Sequence, residues 1–272
     1  MKLSVIMSMY KEPLDYLEKS IESILNQTFR DFEFIITIDN PDNLETIRLL
    51  KSCADSDKRI RLVFNEKNIG LTKSLNKALT LCKGEYIARM DADDISHPAR
   101  FEKQVNFLDK NQDILLCGSW ARFIDTQDKV IGLLENPADP KKIKDSAIRF
   151  NPFIHPTLMF RKNTLILLGK YNEEYKYSQD YDFILRVLSR YKAANLPEYL
   201  LNYRQNPESI TLSNLKKDEL TALKIRLNAL KHHNYPKWKI IYLIRPLLFY
   251  LFVPKSIKLK LIKKFRLKKD EK

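Results

Sequence analysis

Three carboxylates fall within four residues at Asp91-Ala92-Asp93-Asp94. Like charges this close repel unless a cation or solvent lies between them. The cluster directly follows the apolar run Glu85-Tyr86-Ile87-Ala88-Arg89-Met90, so Asp91 and Asp93 can both reach one point beyond a strand end. Hard oxygen donors of this kind suit Mg2+ or Mn2+, ions that share phosphate oxygens. The competing reading is a solvated acidic turn that caps the following helix. A second pair, Asp180 and Asp182 in Ser178-Gln179-Asp180-Tyr181-Asp182, opens an otherwise apolar helical stretch. Aspartates there compensate the helix dipole. Alternatively, a carboxylate near another acidic site has a raised pKa and accepts the proton of an attacking hydroxyl. On residue type alone, Asp39 before Asn40-Pro41-Asp42-Asn43 and Asn68 before Ile69-Gly70 also read as turn residues. His155, ahead of Pro156, reads as structural. No His/Cys set has zinc spacing, and no Ser/His/Asp order stands out.

The elements that must position these groups alternate. Leu3–Met7, Phe34–Ile38, Ile60–Phe64 and Glu85–Met90 are short β-rich apolar runs, and Leu14–Gln27, Leu44–Ser52 and Leu71–Cys82 carry helical spacing. Gly84 is placed to cap the third helix. Strand–helix alternation over the first 95 residues predicts a parallel α/β sheet with right-handed crossovers. Ligands of such sheets sit beyond the carboxyl ends of the strands. Ser8-Met9-Tyr10, Asp39-Asn40, Asn65 to Gly70 and Asp91 to Asp94 occupy those positions. Further on, Ala99–Lys110 is expected to be helical, Ile114–Cys117, Ala121–Ile124 and Thr157–Phe160 strands, and Asp180–Tyr191 a helix. Helices are expected again over Leu215–Leu230 and from Trp238.

The 272 residues are 44% hydrophobic and 30% charged, which suits a folded body and excludes wholesale disorder. Five glycines exclude a phosphate loop built on clustered Gly. Cys53, Cys82 and Cys117 are odd in number, widely spaced and without a CxxC pattern. They read as reduced residues of a cytoplasmic protein. Neither a signal peptide nor a spanning helix is expected: the longest apolar run, Leu247–Val253, has seven residues, against the ~20 a span needs. The charge is concentrated at one end. Residues 216–272 hold 17 Lys and Arg against 4 Asp and Glu, which is +13 of the total +14. From Lys237 to Lys269, eleven Lys and Arg, with no Asp or Glu, alternate with aliphatic and aromatic residues. That pattern suits helices lying in an anionic membrane interface, broken at Pro246 and Pro254. The other reading is a helical cap packed on the body with a solvated basic face. A nucleic-acid partner is not expected, because the body has no basic groove to accompany the patch.

Taken in order, the LSVIMSMY start, QTFRDFEFIITID ending at Asp39, Asn68-Ile69-Gly70 with Asn76, and Gly84-Glu85-Tyr86-Ile87 make a recognisable series. It continues through Met90-Asp91-Ala92-Asp93-Asp94 with Pro98, Arg100 and Phe101, then Asn151-Pro152 with His155-Pro156-Thr157, and Gln179-Asp180-Tyr181-Asp182. Over about residues 1–212 the chain resembles a family 2 glycosyltransferase of the GT-A fold, most like bacterial enzymes that build surface polysaccharide or lipooligosaccharide.

The resemblance implies an α/β GT-A catalytic domain over 1–215, with a nucleotide-binding half (1–95) and an acceptor half (96–215), followed by a basic amphipathic helical region, 216–272. It implies transfer, with inversion, from a nucleotide-sugar, often a UDP-sugar, to a hydroxyl of a glycan or lipid-linked acceptor. Mn2+ or Mg2+ is the implied cofactor. Ser8, Tyr10, Glu12, Asp39, Asn68, Lys73 and Asp91 would hold the nucleotide, Asp93 with Asp91 the cation, and Asp180 would be the base. His155 and Arg204 are further diphosphate or acceptor contacts. Gln179 stands where the family usually has Glu, and Asn40 where it usually has a second Asp. The implied location is cytoplasmic, peripheral on the inner membrane face. Two other classes fit less well. A nucleotidyltransferase would need a Gly-rich basic loop, whereas Ser8 to Pro13 has no Gly and only Lys11. A non-catalytic membrane adaptor predicts no nucleotide binding.

Overall fold

The computed structural model describes residues 1–205, 214–254 and 257–258. Its strands are β1 (Leu3–Met9), β2 (Phe32–Ile38), β3 (Ile60–Phe64), β4 (Tyr86–Arg89), β5 (Ile95–Ser96), β6 (Ile114–Ile124), β7 (Val130–Leu134), β8 (Met159–Arg161) and β9 (Lys192–Arg204). The helices are α1 (Leu14–Leu25), α2 (Leu44–Ser56), α3 (Leu71–Leu81), α4 (Arg100–Lys110), α5 (Pro140–Ser146), α6 (Thr164–Leu168), α7 (Gln179–Arg190), α8 (Leu215–His232) and α9 (Ile244–Phe252). The strands form one sheet in the order β3-β2-β1-β4-β8-β6-β9-β5, with β7 on β6.

The first four strands pair in parallel, in the register Leu3↔Phe32 and Leu3↔Tyr86. From β8 onward the sheet is mixed: β8 runs antiparallel to both β4 and β6, β9 is parallel to β6, and β5 is antiparallel to β9. All seven residues of β1 and all seven of β2 are buried, as expected for strands with helices on both faces. Alternate residues serve different cores. Leu3, Val5 and Met7 pack with Leu17, Ile21 and Ile24 of α1. Ile6 and Ile35 pack with Leu75 and Leu79 of α3 and Phe183 and Val187 of α7.

Three local expectations change. Gly84 does not cap α3, which ends on an extended Cys82. An added Cβ at Gly84 would lie 2.5 Å from the Leu3 carbonyl carbon, so this glycine lets the chain pass against β1, and its N–H donates to Ser4 Oγ at 2.8 Å. The two short strands expected at 114–117 and 121–124 are one, because Gly118 allows close approach of Asn195 on β9 rather than a break. Strand β8 starts only at Met159, after a 3-10 turn over His155–Thr157. The long β9 escapes a sequence reading because Pro197 interrupts it. Its pairing partners on β6 skip from Leu196 to Tyr199, so Pro197 bulges out of the ladder and no hydrogen bond is lost.

The region from 216 is not uniform. Helix α8 packs into the second core through Ile225, Ala229 and Leu230. Arg226 Nε donates to Tyr181 Oη at 3.1 Å, and Tyr235 Oη to the Leu185 carbonyl at 2.9 Å, tying α8 and its exit to α7. A 3-10 segment (Lys237–Leu243) and α9 follow, and none of the α9 side chains is buried. Pro246 sits in the first turn of α9, where it is tolerated, and the helix stops before Pro254. The basic alternation expected over 255–272 lies outside the described residues, except Ile257 and Lys258. Among the described residues no helix is long and apolar enough to cross a membrane.

Candidate active site

The acidic turn leaves the end of β4 and is held from three sides. Ser20 Oγ of α1 donates to the Asp91 carbonyl at 2.8 Å. Strand β5 returns the chain to the sheet by pairing Ile95 with Asn202. The Arg204 N–H donates to Asp94 Oδ1 at 2.8 Å, and Arg204 Nε to the Asp93 carbonyl at 2.8 Å. The three aspartates consequently differ. Asp94 is 1% exposed, and its Oδ2 has no partner among the described residues. Burial, then the charges of Asp93 and Asp91, push its carboxyl well above the usual range, and its bond from the Arg204 N–H gives it a structural role. Asp91 remains partly exposed and is ion-paired to Arg89, whose side chain is fully buried. Asp93 is pushed up to about 7 by burial, by Asp91 and by Glu12.

Glu12 arrives from the loop after β1. Its Oε2 accepts the Tyr10 N–H at 2.6 Å, and burial followed by the charge of Asp91 raises its proton affinity. The charge of Asp91 thus raises the proton affinity of both Glu12 and Asp93. A divalent cation would relieve that repulsion, so the donor set fits Mg2+ or Mn2+. Among the described residues no three His, Cys, Asp or Glu side chains surround one point. The chain thus offers one or two oxygens, in keeping with ions that take their other ligands from diphosphate and water.

Asp39 is buried at the end of β2. Its Oδ1 accepts from Asn65 Nδ2 and the Ile69 N–H, both at 2.8 Å, and its Oδ2 accepts from the Gly70 N–H at 2.9 Å. These bonds shape the loop into α3, where Gly70 adopts φ +88°, a conformation that glycine takes without strain. Asn68 and Lys73 are exposed on that loop and on the first turn of α3, while Ser8 is buried at the end of β1. Asn40 Nδ2 donates to the Tyr10 carbonyl at 3.1 Å, joining the two loops.

Asp180 lies in the first turn of α7. The residue before that helix's first, Ser178, is left-handed at φ 53°, a strained state for a non-glycine residue. Its Oγ donates to Asp218 Oδ1 of α8 at 2.6 Å. Asp180 Oδ2 accepts from Asn151 Nδ2 at 2.8 Å, while Asn151 Oδ1 accepts the Phe153 N–H at 3.1 Å. Burial, then the Asp218 charge, push Asp180 up to about 6. Asp182 differs: it is 4% exposed and paired with Arg186 Nε at 2.9 Å, one helical turn on. The two aspartates that look alike in sequence divide into an unpaired acid and an ion-paired structural one.

Tyr171 is buried beside His155 and Asn76. Its hydroxyl lies 3.0 Å from His155 Nε2, and it feels the charges of Arg89, Asp180 and Asp91. Asn76 of α3 brackets this residue: its Nδ2 donates to the Tyr171 carbonyl and its Oδ1 accepts the Tyr171 N–H, at 2.9 and 3.1 Å. Burial and the Arg89 charge keep His155 neutral, well below its ordinary pKa. Arg89, Tyr171 and Asp218 carry no sequence signal of this role, and Asn151 stands out only as part of the Asn151-Pro152 motif. Arg89 reads as a strand residue, although an arginine two residues before an acidic cluster is a usable hint of an internal counter-charge.

One expectation is corrected. Arg204 is not free to meet a diphosphate. It is 2% exposed, stacks on Tyr16 at 4.1 Å and pairs with Asp128 Oδ1 at 2.5 Å. Its bonds to the Asp93 and Asp94 backbone and side chain make it the residue that holds the acidic turn.

A sheet that is parallel through its first four strands and mixed beyond, with an acidic turn after the fourth, has the architecture of a GT-A glycosyltransferase. The structure superimposes on Staphylococcus aureus TarS 1-349 in complex with UDP-GlcNAc with a TM-score of 0.72 at 18% identity, covering 96% of this chain and 76% of that one. It also superimposes on the Pyrobaculum calidifontis mannosyltransferase PcManGT in complex with GDP-Man and Mn2+, with a TM-score of 0.66 at 15% identity over 97% of this chain and 75% of that one. The chain belongs to glycosyl transferase family 2, whose model matches residues 4–166. It is 40% identical over 262 residues to an uncharacterized glycosyltransferase of Methanocaldococcus jannaschii, covering 92% of this chain and 88% of that protein. To the O-antigen biosynthesis glycosyltransferase WbnJ of Escherichia coli it is 38% identical over 228 residues, covering 82% and 87%.

Proposed function

We propose that this glycosyltransferase moves a sugar, with inversion, from a UDP-sugar to a hydroxyl of a glycan or lipid-linked acceptor during surface polysaccharide synthesis, at the inner face of the cell membrane. The observations that support the reading are two buried acids of raised proton affinity, Asp93 beyond β4 and Asp180 at the start of α7, the latter bonded to Asn151 at 2.8 Å. The name of the Escherichia coli relative supports the pathway class, and the ligands of the two structural neighbours support a nucleotide-sugar donor and a divalent ion.

In this reading Ser8, Tyr10, Asp39 and Asn68 frame the nucleoside, and Lys73, exposed on the first turn of α3, contacts the diphosphate. Asp93 would hold the Mn2+ or Mg2+, Asp91 would contact the ribose or the ion, and Glu12 would add negative charge to the same group. When bound, the ion neutralises the negative charge that develops on the leaving UDP. Asp180 takes the proton of the acceptor hydroxyl as its oxygen attacks the anomeric carbon and the sugar–phosphate bond breaks. Asn151 aims that carboxylate. His155, neutral and bonded to Tyr171, contributes a hydrogen-bonding edge to the acceptor side. A single displacement on an α-linked donor gives a β-linked product.

The direct test is donor hydrolysis and transfer with UDP-, GDP-, dTDP- and CMP-sugars in Mn2+. Turnover of a UDP-sugar with a β-configured product by NMR supports the reading; turnover of none of the four removes it, and an α product removes the single displacement.

The pH profile has a definite sign. A base that must be ionised makes kcat rise with pH, levelling above about 6, the value to which Asp180 is pushed. The Asn151 bond favours the carboxylate and the Asp218 charge opposes it. Asn151→Ala therefore moves the midpoint up and Asp218→Asn moves it down. Shifts in the same direction, or none, would exclude Asp180 as the titrating group.

A further inference from the structure

Beyond the chemistry, one surface has no partner within the described chain. Trp238 is 62% exposed, Ile241 56%, Ile244 54%, Leu248 49%, Leu251 58% and Phe252 74%. They lie on the 3-10 segment and on α9, an element with no buried side chain. Scattered exposed apolar residues are ordinary, but a contiguous group of this size marks an interaction site.

The ridge is built rather than frayed. Lys239 is buried and its Nζ donates to the Asp145 carbonyl at 3.2 Å, fixing the 3-10 segment to α5. Arg149 stacks on Tyr242 at 4.1 Å. After α9, Lys258 folds back: its Nζ donates to Glu219 Oε2 of α8 at 2.5 Å and lies over the rings of Phe249 and Tyr250. Phe249 and Tyr250 thus face inward while Leu248, Leu251 and Phe252 face out.

We infer that this ridge inserts shallowly into an anionic bilayer. Three observations select lipid over a protein partner. The chain beyond the ridge is of one sign: residues 259–269 hold six Lys and Arg and no Asp or Glu, which complements acidic lipid. The apolar residues include Trp238 and Tyr242, side chains that favour the membrane–water boundary. Helix α9 has nine residues, too short to span but suited to lying in the interface.

The location ties docking to the reaction. Neighbouring residues of α8 reach both places, Asp218 through Ser178 to the start of α7 and Glu219 through Lys258 to the ridge. The membrane then lies on the Asp180 side of the enzyme, where an acceptor anchored in lipid would present its hydroxyl. Docking itself stands independently of the donor or the base.

The experiment is co-sedimentation of the full chain with vesicles of phosphatidylcholine containing about one-third phosphatidylglycerol, against phosphatidylcholine alone, at low and high salt. Binding to the anionic vesicles is expected to be at least tenfold stronger and to fall with salt. The triple variant Trp238→Ser, Leu248→Ser, Phe252→Ser loses tenfold or more, and Lys263→Glu with Lys264→Glu loses binding on the anionic vesicles. UDP affinity and Tm stay unchanged in both, which separates failure of docking from failure of the catalytic reading. Should the triple variant misfold, quenching of wild-type tryptophan emission by brominated acyl chains tests the same contact. No quenching, equal binding to both vesicle types, or apolar variants that change self-association in the ultracentrifuge while leaving vesicle binding intact would each overturn the inference.

Discussion

Asp180→Asn is expected to lower kcat by about 10²- to 10⁴-fold, the range that one positioned base contributes. UDP affinity should stay within about twofold, because the base deprotonates the acceptor and takes no part in holding the nucleotide. The substitution keeps the size of the side chain and can keep a hydrogen bond with Asn151, which donates to Asp180 at 2.8 Å. It removes only the capacity to take a proton, together with the repulsion from Asp218, so Tm should not fall. Asp182→Asn is the matched control. It breaks a buried pair with Arg186, four residues on, and should lower Tm while leaving kcat per folded molecule largely intact. Steady-state kinetics with calorimetric UDP titrations separate the two. Wild-type turnover in Asp180→Asn would remove this residue from the chemistry.

Asp93→Asn is expected to abolish the dependence of UDP binding on divalent cation and to lower kcat by on the order of 10²-fold, since charge on the leaving diphosphate would go uncompensated. The same change should raise Tm of the metal-free protein above pH 7. Asp93 is pushed up to about 7 because ionising it places a charge in a buried position beside Asp91 and Glu12. A carboxyl raised in the folded state binds its proton more tightly there than in the unfolded chain. Its stabilising effect is therefore present at low pH and is lost as pH rises toward 7. Asparagine removes that loss, so the variant gains over wild type as pH increases. Calorimetry with and without EDTA, and thermal melts at pH 5 and pH 8, read both effects. Equal UDP affinity with and without EDTA in the wild type would count against a cation at this turn.

The relation between these predictions and the sequence is uneven. The parallel half of the sheet was legible because β1, β2 and β4 are buried on both faces and read as short, largely apolar runs, with a helix of clear 3.6 period between neighbours. The carboxylates at the ends of those strands could be located for the same reason. The second half was harder to read. Strand β9 carries Pro197 at a bulge, β6 carries Gly118 where Asn195 approaches, and β5 has two residues held by cross-sheet pairing. Local propensity has no access to such partners.

The site divides along the same line. Residue order alone determined that acidic groups would cluster beyond β4 and at the head of α7, since charge and strand position are local properties. Residue type could not separate Asp180 from Asp182, nor Asp94 from Asp93, and only the family resemblance did so, because those pairs differ in what lies opposite: Arg186 for one, Asn151 and Asp218 for another, the backbone of Arg204 for a third. Arg204 itself looked like a phosphate ligand and is a buried clamp. Proton affinity and ion pairing depend on burial and on charges brought together from distant parts of the chain, so only the folded arrangement decides which carboxylate is left to do the chemistry.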